Sequence, residues 1–497
     1  MSKKDNVEKN IIVGFGGQLI ILVLGIIVPR IMLTNYGSDV NGLISTITQI
    51  FTYMALLEAG IGQAARNALY KPIAENNRQG ISHIASIAQS YFRKLTAIYG
   101  IGVILLALIV PFVIKSGVDK ATICLVILFQ GLAGVISFYF IQTQAIILDA
   151  DGHGYINNGI NVINQILSYS ARIILAFMGI NIAVVQFSYF LITIAKVIVY
   201  KAYFNRHYSW LDYSLATKED KLKDRNAYIV TEIAWTLFSS TDMIVLSTFI
   251  STQLSSVYAI YNMVFTSLNV LLNAVYSSLV YILGQTFHED IEKYKKVHDV
   301  FTSIFLGAMT IMMCVAYVLC IPFVRLYTDG VTDITYVYHE LPLLFCLIQI
   351  ISWSRFVSGN LTGIAGYAKQ TGWISLIEAI TNVLLSVLLV NRFGLVGVLI
   401  ATVVSLPLKV VWCIYIADKK VMHRPYGRTL SILVTNYLLF FAVVLLSRYC
   451  SFEITSYISL GAYALLLSIT IGIVGVLLNL AVNRDCLQII NRYILKR

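Results

Sequence analysis

Charge is what this sequence has least of. Only 12% of its 497 residues are Asp, Glu, Lys or Arg, while 58% are hydrophobic and mean hydropathy is +0.78. A soluble chain carries roughly a quarter charged residues, and one of this length would need several domains with charged surfaces. The shortage excludes that arrangement, and the apolar content excludes disorder. Proline (7) and glycine (31) are too sparse for a low-complexity or collagen-like chain. The seven cysteines, Cys124, Cys314, Cys320, Cys346, Cys413, Cys450 and Cys486, are odd in number and form no C-x-x-C. A disulfide scaffold and a zinc site are thereby excluded, and small core residues are the expected role. Catalytic signatures are missing too. There is no P-loop and no G-x-S-x-G, and His288-Glu289 and His339-Glu340 do not complete H-E-x-x-H. The seven histidines scatter over loops. The chain is expected to be no enzyme and to hold no metal and no cofactor.

What is present is length of apolar run. A transmembrane helix needs about 20 mainly apolar residues, and fourteen stretches qualify: 11–32, 41–61, 95–114, 121–148, 157–178, 182–203, 227–250, 253–283, 299–324, 338–362, 372–391, 395–416, 428–448 and 457–481. The expected fold class is an all-α polytopic membrane protein with about 14 transmembrane helices. The first run is too long for a signal-peptide core and lacks a small-residue cleavage site, so it is expected to remain as an anchor.

Lys and Arg placement orients the spans. With the N-terminus inside, the inner segments hold 26 Lys and Arg, the outer segments hold 5 (Lys115, Lys120, Arg325, Arg392, Arg448), and 5 lie within spans. That asymmetry is the positive-inside pattern, and an even span count then puts both termini in the cytoplasm. The net charge of +11 is accounted for by inner loops facing anionic lipid, or by an anionic substrate. No polar stretch interleaves basic and aromatic residues, which argues against a nucleic-acid partner. The longest polar segments, about 62–94 and 204–226 inside and 325–337 outside, are too short for a soluble catalytic domain.

A repeat is visible. Asn10–Ile61 and Asn226–Ser277 each read as a polar inner flank, a span, a short outer turn and a second span. The turns are Tyr36-Gly37-Ser38-Asp39-Val40-Asn41-Gly42 and Ser251-Thr252-Gln253-Leu254-Ser255-Ser256-Val257. Gly154-Tyr155 and Gly366-Tyr367 repeat at a similar offset. Spans 1–6 therefore pair with spans 7–12, a transporter arrangement with a site between halves near mid-membrane. The expected divisions are an N-lobe over 1–215, a C-lobe over 216–420, and two added spans with a tail over 421–497.

A charge near the bilayer centre is expensive and marks function. The basic candidates for substrate binding are Arg30, Arg172, Lys196, Arg355 and Lys409. At about 1.5 Å per residue, all but Arg30 lie within roughly 5–8 Å of their span centres. Snorkelling to the interface explains Arg30 and Lys196 equally well. Arg355 stands in a polar break, Ser352-Trp353-Ser354-Arg355, and its guanidinium is always charged. Pro29 and Pro407 precede Arg30 and Lys409 and mark helix irregularities. The acidic candidates, for ion coupling or structural pairing, are Asp242, Glu58, Glu232 and Glu378. Five basic against four acidic groups favour an anion such as phosphate.

Tyr36-Gly37-Ser38-Asp39-Val40-Asn41-Gly42-Leu43, Leu56-Leu57-Glu58-Ala59-Gly60-Ile61-Gly62 and Ala68-Leu69-Tyr70-Lys71-Pro72-Ile73-Ala74 resemble bacterial polysaccharide-biosynthesis flippases of the Wzx type. That family belongs to the multidrug/oligosaccharidyl-lipid/polysaccharide exporter superfamily. The resemblance implies two six-helix, MATE-like lobes around a central cavity, in a bacterial cytoplasmic membrane. It further implies that the chain moves a polyprenyl-pyrophosphate-linked oligosaccharide to the outer leaflet by alternating access, for capsule, O-antigen (lipopolysaccharide) or a related polymer. A polysaccharide polymerase and glycosyltransferases would be partners. Arg172, Arg355 and Lys409 would meet the pyrophosphate, and spans 13 and 14 would form a groove for the lipid tail. Three readings compete: a multidrug cation/proton antiporter of the same superfamily, a lipid II flippase, and a membrane-embedded polysaccharide polymerase or ligase. The short outer loops weigh against the last.

Overall fold

The computed structural model describes residues 3–58, 61–215, 241–449 and 454–486. Among these residues every regular element is helical, and eleven helices are long and apolar enough to cross a membrane. This is a multi-pass membrane protein. The reason is elementary: lipid offers no hydrogen bonds, so each spanning segment must satisfy its backbone within itself.

Two of the eleven helical stretches each hold two expected spans. Helix Lys3–Ala55 bends at Gly37 (φ 80°, ψ 176°), and helix Ala368–Ile414 bends at Gly394 (φ 56°, ψ −134°). Both bends use left-handed backbone, which glycine adopts without a Cβ penalty. Pro29 and Pro407 lie inside these same helices, and neither ends its helix. Expected span 227–250 falls largely outside the described residues; 241–249 is helical. The second span stops at Ala55, and a 3-10 turn, Leu56–Glu58, follows.

The segment 62–94 is not a loop as expected. It forms helix Ile61–Ala74 and the first half of helix Arg78–Val113. Ile61, Ala65 and Leu69 on the first, and Ile81, Ala85, Ala88 and Phe92 on the second, are buried. Apolar residues three to four apart make one buried stripe on an otherwise polar helix, and average hydropathy over a window hides such a stripe. Side-chain caps start several of the spanning helices. Asn77 accepts from Gly80 N, Asp119 from Thr122 N, Asn181 from Ala183 N, and Ser456 makes a capping box with Ser459.

The chain divides into two compact units, Met1–Ser256 and Val257–Arg497. The first has a core around Phe92, Tyr99, Phe138 and Tyr200, and a second around Leu43, Ile47, Val126 and Ile127. In the second unit, helix Ile291–Tyr327 packs against helices Leu341–Ser354, Gly427–Leu446 and Tyr457–Val482. The last two of these helices also join each other through a reciprocal amide pair, Asn436 Nδ2 to Asn479 Oδ1 at 3.0 Å and Asn479 Nδ2 to Asn436 Oδ1 at 3.2 Å. Interhelical amides of this kind hold helices together where lipid provides no hydrophobic drive.

Within the first unit the two repeat-related turns meet. Asp39 accepts hydrogen bonds from Thr252 Oγ1, from Ser116 Oγ at 2.8 Å and from Gly117 N at 2.5 Å. Asn41 Nδ2 donates to Ser256 Oγ at 2.8 Å. Lys115 N donates to Ser247 O and Thr252 N to Lys115 O. Gly42 lies directly under this contact, and a Cβ there would stand 1.7 Å from the Thr252 carbonyl oxygen. Gly42→Ala is therefore expected to be destabilising by about 2–3 kcal/mol, because overpacking against backbone outweighs a helix-propensity gain of about 1 kcal/mol. Gly25→Ala, with nothing within 4 Å of its Cβ, should be neutral or stabilising. Thermal melts of both variants in detergent check the pair.

Candidate functional site

Three of the expected residues converge in the second unit. Arg355 sits where the tenth span breaks, between helices Leu341–Ser354 and Phe356–Ile364. The polar run Ser352–Arg355 explains the break. Ser354 Oγ donates to Ile350 O within its own helix and faces Tyr437 Oη at 3.1 Å, while Trp353 Nε1 donates to Asn269 Oδ1 at 3.2 Å. These contacts fix the residues that precede Arg355 and do not draw on its guanidinium. Glu378, 2% exposed, and Lys409 lie on helix Ala368–Ile414, one on each side of Gly394. Arg355, Glu378, Lys409 and Cys413 are within electrostatic range of one another.

The balance of this cluster is two cations against one carboxylate. Arg355 Nε and Glu378 Oε1 are both buried without a hydrogen-bond partner among the described residues. A buried Nε–H donor with no partner is costly unless something else meets it. A phosphate or pyrophosphate matches its planar fork and adds charge-assisted hydrogen bonds.

The other basic candidates belong to the first unit. Arg172, on helix Gly154–Phe177, lies over the Tyr189 ring at 5.5 Å and borders a small cavity with Met32, Asn41, Ile44 and Gln186. Its company is tyrosine rather than carboxylate, a cation–π environment. Lys196 stands two turns along from Tyr189 on helix Ile182–His207. Arg30 follows Pro29 in helix Lys3–Ala55.

Of the acidic candidates, Glu232 lies outside the described residues. Asp242 is 6% exposed and acts electrostatically on Tyr53, whose hydroxyl bonds to Thr241 Oγ1. Glu58 is placed in the turn that follows the second span. Its Oε2 accepts from Gln142 Nε2 at 3.0 Å, and Arg66 is close by. Arg66 in turn meets Asp149 at 3.4 Å, and Asn157 links Asp149 (2.9 Å) to Tyr200 (2.5 Å). Burial lifts the Glu58 carboxyl to about 7, against the opposing pull of Arg66. The folded state thus holds a proton that the unfolded chain releases near its ordinary value of 4.5. Stability drawn from that proton is present at low pH and falls as pH rises from about 4.5 through 7. Glu58→Gln should therefore gain stability relative to the parent at pH 8 but not at pH 5, which melting curves across that range would check.

Sequence reasoning misses the strongest ionic network. Arg424 donates to Asp299 twice, at 2.9 and 2.6 Å, and to Asp418 at 2.7 Å. Arg428 reaches Asp299 at 3.7 Å, Asp485 at 3.5 Å and Asn483 at 2.8 Å. His298, fully buried, faces Asp299 on one ring nitrogen and Ser358 on the other. Burial alone would lower the Arg424 pKa, but the two carboxylates hold it above its ordinary value. Asp299 begins an apolar run and Arg424 sits in a basic loop, so each reads as an interface charge. No signal in the sequence joins positions 125 apart. Among the described residues no group of three or more His, Cys, Asp or Glu could hold a metal.

The architecture is shared with known transporters. The chain superposes on a structure titled lipid II flippase MurJ, inward closed conformation, with TM-score 0.66 and 14% identity, covering 96% of this chain and 100% of that one. An inward-facing multidrug resistance MATE family transporter of the MOP superfamily gives 0.65 and 12% identity, over 79% and 93%. The MATE multidrug transporter DinF-BH gives 0.59 and 14%, over 82% and 94%.

The chain has the fold of these transporters.

No family model and no curated protein matches it. The structures it resembles are those of transporters and flippases rather than enzymes.

Proposed function

We propose that the protein is a flippase for a polyprenyl-pyrophosphate-linked oligosaccharide, working by alternating access in a bacterial cytoplasmic membrane with both termini inside. The observation that carries this reading is the Arg355–Lys409–Glu378 cluster: two cations, one carboxylate, and an Arg355 Nε with no partner among the described residues. A cationic drug would be repelled there, whereas a pyrophosphate would be held. Arg172 would present a further cation. Asp242, Glu58 and Glu378 are the proposed coupling groups, and a polysaccharide polymerase and glycosyltransferases the proposed partners.

A second feature supports a lipid-linked cargo. Helices Gly427–Leu446 and Tyr457–Val482 border a groove of about 590 Å³ lined by Leu438, Ala442, Leu446, Ile471, Val474 and Leu478. It is almost wholly apolar and suits an isoprenoid chain, which gains about 0.8 kcal/mol per buried CH₂. The likeness to the MurJ structure spans all of that chain, which keeps lipid II as the second reading of the cargo.

The test is a lipid extract. A deletion strain should accumulate a polyprenyl-pyrophosphate oligosaccharide, read by mass spectrometry, while surface polysaccharide falls. Ala442→Trp, which fills the groove, should reproduce the accumulation with the protein still present in the membrane. Accumulation of lipid II in place of a polysaccharide precursor would select the second reading. Unchanged lipid pools with altered drug sensitivity would overturn both in favour of a multidrug antiporter.

A further inference from the structure

A second cavity, of about 420 Å³, opens in the first unit, and none of the charged residues discussed so far lines it. Its walls come from the turn after helix Ile61–Ala74, the turn 151–153, and the end of helix Ile182–His207 with the residues that follow. These segments belong to the face that the Lys and Arg distribution assigns to the cytoplasm. The size falls in the range of small-molecule sites.

The lining is built rather than accidental. Tyr208 Oη donates to Asp151 Oδ2 at 2.5 Å, and His153 Nδ1 stands 3.2 Å from the same oxygen. The Tyr208 ring stacks on Phe204 at 4.7 Å, and the Arg78 guanidinium lies 5.2 Å from the centre of the Trp210 ring. Asn76 reaches the cavity from a left-handed backbone (φ 51°), a conformation that asparagine tolerates better than most residues. Aromatic walls, donors and acceptors are thus fixed around one space.

The chemistry of this set discriminates among ligands. A bare phosphate would meet the Asp151 carboxylate, which opposes Arg78. A hydrocarbon would desolvate Arg78, Asp151 and Asn76 and return no hydrogen bond to any of them, which is costly. A hydroxyl-rich ring with an apolar face satisfies every element: hydroxyls donate to Asp151 and Asn76, accept from Arg78, and C–H faces lie on the aromatic rings. We infer that this cavity binds a sugar ring. It rests on the flippase reading only for the identity of that sugar, a residue of the lipid-linked glycan captured at the cytoplasmic surface.

The test uses the full chain in lipid nanodiscs and saturation-transfer NMR with galactose, N-acetylglucosamine and glucuronate as probes, and inorganic phosphate as the competing anion. At least one sugar should receive saturation. Binding should weaken about tenfold, the loss of one charged or aromatic contact, in Arg78→Ala and in Trp210→Ala, and should persist in Arg355→Ala. Arg78 is exposed, so its variant reports binding even if Trp210→Ala fails to fold. Transfer to none of the three sugars overturns the proposal. So does transfer that survives Arg78→Ala, or phosphate bound in place of sugar. The lipid extract is a separate readout. Accumulated precursor with an empty cavity sinks this inference alone, and sugar binding without accumulated precursor sinks the flippase reading alone.

Discussion

Arg424→Ala is expected to destabilise the protein by about 3–5 kcal/mol, the cost of stripping one partner from a buried ion pair. Among the described residues Arg424 alone meets both Asp299, 7% exposed at its side chain, and Asp418, fully buried. Without it two carboxylates remain in a low-dielectric end of the helix bundle. Arg428 reaches only the first, and at 3.7 Å. Arg424→Lys should recover part of the loss, since one ammonium cannot reproduce three directed guanidinium bonds. Thermal unfolding in detergent, followed by fluorescence-detected size exclusion, would measure both. A melting point unchanged in Arg424→Ala would mean that water already screens the network.

On the proposed flippase function, Arg355→Ala should lower transport by roughly 10–150-fold, the equivalent of one charge-assisted hydrogen-bonded contact of about 1.5–3 kcal/mol. The protein should stay folded, because the contacts that hold this break belong to Trp353 and Ser354 rather than to Arg355. Precursor should accumulate in cells carrying the variant, and Arg355→Lys should be intermediate. A variant that transports normally would return Arg355 to a structural role beside Glu378.

These two arginines also show what a sequence discloses. Arg355 is legible because it interrupts an apolar run: one helix cannot carry Ser-Trp-Ser-Arg through lipid without a reason. Span positions are legible for the same cause, and the bends at Gly37 and Gly394 fall between spans that hydropathy already separates. Arg424 is illegible because its partners come from helices far apart in the chain, and nothing local distinguishes it from the other basic residues of its loop. The helices within 62–94 are hidden by averaging, since Ala65, Leu69, Ala85 and Phe92 bury one stripe while the rest stays polar. The meeting of Asp39 with Thr252 follows from the repeat only once the two turns are placed in space.

The reciprocal amide pair between Asn436 and Asn479 has a consequence for synthesis. Each asparagine alone is a poor passenger in hydrocarbon, and the insertion machinery would meet Asn436 first, about forty residues before its partner is made. Helix Gly427–Leu446 must therefore wait, shielded by the machinery or by helix Ile291–Tyr327, until helix Tyr457–Val482 arrives. Release into lipid as a finished hairpin satisfies both amides at once. Ribosomes stalled between these two helices should consequently leave the nascent chain in contact with the insertase rather than with lipid.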